Sequence, residues 1–270
     1  MSYAYSRKPR LKHTNLEETT LKPIALQLYT VRESAAADFP ATIRRVAEIG
    51  YKGIEFAGLH GHDPKEIAGL VKDLGLQVCS SHAGVVNDEN FKQIVETERT
   101  LGNTRIIGGF GPGQFTTIEG CNEAIKAFNK AVELLTPQGM TAGMHNHWWE
   151  FEKLNGKLIY DIIMEEAPTI FSELDVYWTA YAKSDPVEII NRHKSRLPVL
   201  HIKDGSLEEK APHLAVGSGV LDIPAIIGAA DPNVLQWLIV ELDNFAGDMW
   251  EAVQSSYDYL TSNGLASGNK

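Results

Sequence analysis

The feature that most constrains this chain is a repeat. Short apolar runs alternate with longer stretches whose apolar residues recur every three or four positions. The short runs are Ile24–Tyr29, Gly53–Phe56, Leu76–Cys79, Arg105–Ile107, Met140–Met144, Thr169–Leu174, Leu197–Ile202 and Trp237–Leu242. Their length and continuity suit strands buried on both faces. Between them, Phe39, Ile43, Val46 and Ala47 follow helical spacing and stop at Gly50. Pro64 opens a second such stretch through Ile67, Leu70, Val71 and Leu74, which ends at Gly75. Ile125, Phe128, Val132 and Leu135 form another, and Asp222 two residues before Pro224 reads as a helix N-cap.

Eight strand–helix units, each of about thirty residues, fill positions 24 to 262. They predict an α/β fold, a closed (β/α)8 TIM barrel. An open doubly wound sheet would carry a Gly-x-Gly-x-x-Gly turn after its first strand, and the turn after Tyr29 has no glycine. The barrel domain is placed at 23–262, with a flexible N-terminal arm at 1–22 and a flexible tail at 263–270. The arm holds Arg7, Lys8, Arg10, Lys12 and Lys22 but no apolar core, so it is not a complete signal peptide.

Composition narrows the partners. With 35 acidic and 25 basic residues the formal charge is -10, which argues against nucleic acid. Two cysteines make no disulfide framework, so a reducing, cytoplasmic setting is expected. No run is apolar over the roughly 18 residues that a membrane span needs.

A barrel places chemistry at the C-terminal ends of its strands, and the polar outliers fall there. Glu55 closes the second strand and His82 follows the third. His145, His147, Trp148 and Glu150 follow the fifth, Asp175 and Trp178 the sixth, His201, Lys203 and Asp204 the seventh, and Glu241 and Asp243 the eighth. Glu150, Asp175, His201 and Glu241 together read as an oxygen-rich metal site. Three carboxylates and one imidazole suit Mn²⁺, Mg²⁺ or Co²⁺, with Zn²⁺ as a further choice. His82, His145, His147 and Lys203 each have a structural reading beside the functional one. The Gly108–Gly113 turn lacks the Lys-Ser/Thr of a phosphate loop, and Gly217-Ser-Gly219 gives only a weak phosphate signal. The 17 residues from Asp204 to Val220 are long for a compact domain and suggest a lid or an interface.

Gln27-Leu-Tyr-Thr-Val-Arg32, Gly53-Ile-Glu-Phe-Ala-Gly58, Ser81-His82, His145-Asn-His-Trp-Trp-Glu-Phe151, Leu174-Asp-Val-Tyr-Trp178, His201-Ile-Lys-Asp204, Gly217-Ser-Gly-Val-Leu-Asp222 and Val240-Glu-Leu-Asp243 occur in that order. Together they resemble the xylose isomerase-like barrels, in the branch of sugar phosphate isomerases/epimerases. The resemblance implies one divalent ion, Mn²⁺ favoured, held by two glutamates, an aspartate and a histidine: Glu150, Glu241, Asp175 and His201. It further implies that Glu150 and Glu241 flank a substrate carbon and move its proton, through a metal-stabilised enediolate of a keto-sugar or related polyol derivative. His147 and Lys203 are the added catalytic candidates. His82, His145, Trp178, Glu55 and Trp148 are the substrate-binding ones. Loss of a β-hydroxyl from the same enediolate would make the enzyme a dehydratase of the inosose or 3-dehydroshikimate type. An endonuclease IV-like phosphodiesterase is the remote alternative. No nucleic-acid or membrane partner is expected, and related barrels are often homo-oligomers.

Overall fold

A computed structural model describes residues 21–270. The expected N-terminal arm therefore lies outside the described residues, apart from Leu21 and Lys22. The eight strands are β1 (Ile24–Gln27), β2 (Gly53–Phe56), β3 (Gln77–His82), β4 (Arg105–Gly108), β5 (Thr141–His145), β6 (Phe171–Asp175), β7 (Val199–Ile202) and β8 (Trp237–Val240). Each pairs in parallel with the next, and β8 pairs with β1 to close the barrel. The principal helices are α1 (Phe39–Ile49), α2 (Pro64–Asp73), α3 (Phe91–Leu101), α4 (Ile118–Leu135), α5 (Ile159–Glu166), α6 (Pro186–His193), α7 (Ile223–Ala229) and α8 (Met249–Ser262).

One device starts many of these helices. Asp38, Asp63, Asp185, Asp222 and Asp248 each cap a helix by accepting a backbone N–H from its first turn. In α1, α2, α6 and α7 a proline stands in that first turn, where its missing N–H costs nothing.

The apolar residues divide into two sets. The larger fills the space between barrel and helices, with Leu26, Ile43, Ile54, Phe128, Ile163, Leu200 and Leu238 among its members. The smaller (Ala25, Cys79, Ile107, Phe171, Val199, Trp237 and Ile239) plugs the barrel interior. Its two large rings fit because nearby strands carry glycine. A Cβ on Gly143 would stand 2.3 Å from the Phe171 ring, and one on Gly53 would stand 2.7 Å from Trp237. Above this plug the inward positions turn polar, which sets the depth of the site.

Several boundaries depart from the sequence reading. The first strand stops at Gln27 because the Gln27 side chain accepts the Tyr29 N–H at 3.0 Å and bends the chain into a short 3-10 turn. A helix at Val176–Tyr181 begins directly after β6, capped by Asp175. The tail expected to be flexible from 263 is docked instead. Ser267 bridges to Pro23, the Asn269 N–H donates to the Gly50 carbonyl at 2.7 Å, and Ala266 is buried. Among the described residues, no helix is long and apolar enough to cross a membrane.

The connection after β7 is stapled rather than loose. It holds a small hairpin of Asp204–Gly205 with His213–Leu214. The buried Asp204 carboxylate accepts the N–H groups of Gly205, Gly217, Gly219 and Leu221 at 2.9–3.2 Å. Removing it leaves four donors to find other partners. Asp204→Ala is expected to destabilise the fold by about 2–4 kcal/mol and to open the 205–221 segment to protease. A melting temperature and cleavage pattern like those of the wild type would show that the staple is dispensable.

Candidate metal centre

The polar layers are built by strand periodicity. Inward positions recur every second residue, so Glu173 and Asp175 on β6 lie one above the other, as do His201 and Lys203 at the end of β7. The same parity brings in Gln27, Glu55, His145 and Glu241. Asn146 ties β5 to β6, its side-chain oxygen accepting the Asp175 N–H at 3.0 Å.

Two groups of potential ligands converge, each with one atom per residue inside 4.8 Å: His145, Asp175, His201 and Glu241 in one, and His82, His145, Glu173 and His201 in the other. In the upper group His201 Nδ1 lies 2.8 Å from Glu241 Oε2, and His145 Nε2 lies 4.0 Å from Asp175 Oδ2. Asp175 Oδ2, His201 Nδ1 and Glu241 Oε2 are buried yet have no partner in hydrogen-bond geometry. The Lys203 ammonium lies against Asp175 Oδ2 and Glu241 Oε2, and the remaining lone pairs that converge beside it fit a shared cation. This donor set of two imidazoles and two carboxylates would hold a divalent ion of the Zn²⁺, Co²⁺, Fe²⁺ or Mn²⁺ kind.

The expected quartet is thus three-quarters assembled. Asp175, His201 and Glu241 meet, and Glu150 does not join them. Residues Trp149–Phe151 form one 3-10 turn, and the Glu150 carboxylate folds back to accept the His147 N–H at 2.8 Å. Burial raises its pKa to about 8, against the lowering effect of that bond, so it is a neutral acid at pH 7. His145, at the end of β5, stands in the converging group in its place. Burial also holds the His145 imidazole well below its ordinary pKa, which leaves a nitrogen lone pair free.

Lys203 is fully buried, its Nζ 2.7 Å from Glu241, 2.9 Å from Asp243 and 3.0 Å from Asp175. Burial alone would lower its pKa, but the three carboxylates raise it well above the ordinary value, so it stays an ammonium. Burial raises Asp175 to about 6 despite Lys203. Glu55 lies deeper. Its carboxylate accepts from the Gln27 amide at 2.5 Å and from the Ser80 hydroxyl, and sits 2.7 Å from His201 Nε2. Burial and the neighbouring Glu173 charge push it up to about 7. Glu55 is therefore a support beneath the site and not a wall of the cavity.

A cavity of about 330 Å³ opens above these groups, lined by Tyr29, Ala57, His82, His145, His147, Glu241 and Asp243. A second of about 340 Å³ shares His82, His145 and His147 and adds Phe110, Trp149 and the Gly108–Gly111 turn. His147 is stacked on Trp149 at 4.1 Å, its Nδ1 is unpartnered, and burial followed by the Lys203 charge lowers it to about 4. Trp148 and Trp178 pack together at 4.7 Å on the same side, with Lys203 5.6 Å from the centre of the Trp178 ring. They do not line the cavity above the converging group. The sequence reading missed Glu173 and His213. Glu173 is embedded in an apolar run, although its place two before Asp175 gives it the same inward face. His213 accepts the Asp243 N–H at 3.2 Å and has no strand-end signal to mark it.

A family model described as xylose isomerase-like TIM barrel matches residues 43–262. The chain belongs to that family. No curated protein matches it in sequence. Among solved structures, a sugar phosphate isomerase/epimerase from Parabacteroides distasonis superposes with a TM-score of 0.75 at 24% identity, over 95% of this chain and 99% of that one. A probable 3-DHS dehydratase from Bacillus anthracis gives 0.71 at 14% identity, over 88% and 98%. The IOLI protein with a bound zinc atom gives 0.69 at 14% identity, over 90% and 98%. At these identities the likeness carries the xylose isomerase-like fold and leaves the reaction open.

The displacement of Glu150 has a measurable consequence. A carboxyl raised from about 4.3 unfolded to about 8 folded binds more protons in the native state. Its contribution to stability is present at low pH and is lost as pH rises through about 8. Glu150→Gln should therefore gain stability relative to wild type between pH 5 and 8, by up to about 1.4 kcal/mol per pH unit, and should keep the wild-type metal affinity. A pH-independent difference in urea unfolding, or loss of metal, would return Glu150 to the ligand set.

Proposed function

We propose that this protein is a divalent-cation-dependent isomerase or epimerase of an unphosphorylated keto-sugar. The observation that carries this reading is the convergence of buried ligand atoms of His145, Asp175, His201 and Glu241 beside the Lys203 ammonium, under a polar cavity. His145, Asp175, His201 and Glu241 would hold the cation, which when bound supplies Lewis acidity at adjacent carbonyl and hydroxyl oxygens.

The chain's own groups do the rest. Lys203 keeps an ammonium fixed next to the place where enolate charge develops, without solvent reorganisation. His147 enters the cavity from the β5 end and Glu241 from the β8 end, strands that are three places apart around the ring. A proton removed on one side of a substrate carbon can thus be returned on the other, as epimerisation requires. His147, neutral at pH 7 with an open ring nitrogen, is the proton acceptor on the β5 side. Trp149, Phe110 and the glycine turn extend the cavity on that side.

The case against a phosphate is electrostatic. Among the described residues no lysine or arginine lines either cavity, while Glu241 and Asp243 line the first. The N–H groups of Gly217 and Gly219, which a phosphate would need, already point at Asp204.

The test is proton exchange. Purified protein loaded with Zn²⁺, Co²⁺ or Mn²⁺ is incubated with keto-sugars in D₂O and followed by NMR and mass spectrometry. Deuterium should enter next to the carbonyl, at constant composition apart from the isotope, and chelation should abolish it. His147→Gln is expected to slow exchange by roughly 10²–10⁴-fold. Loss of water from the substrate would make the reaction a dehydration. Exchange that survives complete chelation, or a clear preference for the phosphorylated sugar, would sink the proposal.

A further inference from the structure

Glu173 touches three imidazoles at once. Its Oε2 lies 2.6 Å from His82 Nε2, 3.1 Å from His201 Nε2 and 3.2 Å from His145 Nδ1. The contact to His82 is a hydrogen bond, whereas the hydrogen bond of His201 Nε2 goes to Glu55 Oε1 at 2.7 Å, with Glu173 beside it at ion-pair distance. The His145 contact is close but bent. Glu173 therefore meets the two proposed ligand histidines on opposite ring nitrogens, Nδ1 of His145 and Nε2 of His201, while Glu241 meets His201 on Nδ1. With a cation bound, each ligand imidazole would be neutral, with one N–H and one lone pair, and the carboxylate on the side away from the cation would take the N–H. The lone pairs are left on His145 Nε2 and His201 Nδ1, the two atoms that face Asp175 and Glu241.

We propose that Glu173 is a positioning residue. Assisted by Glu55 at His201, it fixes the two ligand imidazoles in opposite tautomers, so that both lone pairs turn toward one cation. This rests on the cation-binding reading above. The support is itself rigid, because Gln27 and Ser80 hold Glu55 from below and the whole group is buried. The competing possibility is that the inner group, His82 with His145, Glu173 and His201, holds an ion of its own.

Metal titration separates these. Wild type and Glu173→Gln are stripped and titrated with Zn²⁺ by calorimetry, and with Co²⁺ by visible absorption. The expected result is one ion per chain in both, with affinity lowered by about 10–100-fold in the variant and a changed Co²⁺ spectrum. Glu173→Asp, which keeps the charge, should recover part of the loss. Should Glu173→Gln fail to fold, Glu55→Gln carries the same test through the His201 contact alone. A loss of several-fold is then expected, and unchanged affinity overturns the proposal. An unchanged affinity and spectrum in Glu173→Gln overturns it directly. So does a wild type that binds two ions and a variant that binds one, which would assign the inner group as a cation site. A wild type that takes up no ion removes the proposed function and this inference together. Tight binding by both wild type and variant removes this inference alone.

Discussion

The structure depends on an excess of negative charge held inside the mouth of the barrel. Glu55, Glu173, Asp175, Glu241 and Asp243 bring five carboxylates together, and Lys203 is the lysine set among them. Such a cluster is costly to bury unless it is compensated. Imidazoles, protons and the ammonium compensate part of it. The proton sharing is uneven: imidazoles keep Glu173 well below the ordinary carboxylate range against the opposing effect of burial, while Glu55 is raised. A divalent ion held by His145, Asp175, His201 and Glu241 would add to this compensation.

The apolar plug beneath explains why this charge can be concentrated at all. Phe171 and Trp237 fill the barrel interior beneath the carboxylates. The polar groups are met only from the C-terminal mouth, where the cavity opens. Depth thereby sorts roles: Glu55 and Glu173 support, His145, Asp175, His201 and Glu241 converge, and His147 and Asp243 face the cavity.

The barrel was legible because its signal is global. Eight apolar runs, each followed by a helical stripe, leave few topologies, and errors of a residue or two at each end do not accumulate. Strand-end placement also located Asp175, His201, Lys203 and Glu241. The choice between His145 and Glu150 was not legible in the same way. Both lie in one irregular segment after β5, where no fixed period says which side chain turns inward. The 3-10 turn at Trp149–Phe151 decides it, and that turn depends on Trp149 reaching the Phe110 carbonyl, a contact 39 positions away in the chain. Glu173 was hidden for the opposite reason: a charged residue inside a buried strand looks like an exception until the layer below the site is known.

The repeated aspartate caps have a consequence for what approaches the molecule. In this barrel the N-termini of the helices lie on the same face as the mouth, and each carries the positive end of a helix dipole. Such ends are common seats for anions. Here α1, α2, α6, α7 and α8, and the short helix after β6, each have an aspartate of the chain itself on that end. The mouth therefore presents a field that draws cations inward and turns anions away before any contact is made. Discrimination between charged and uncharged ligands would then begin at long range, in the rim of the barrel, and not in the pocket.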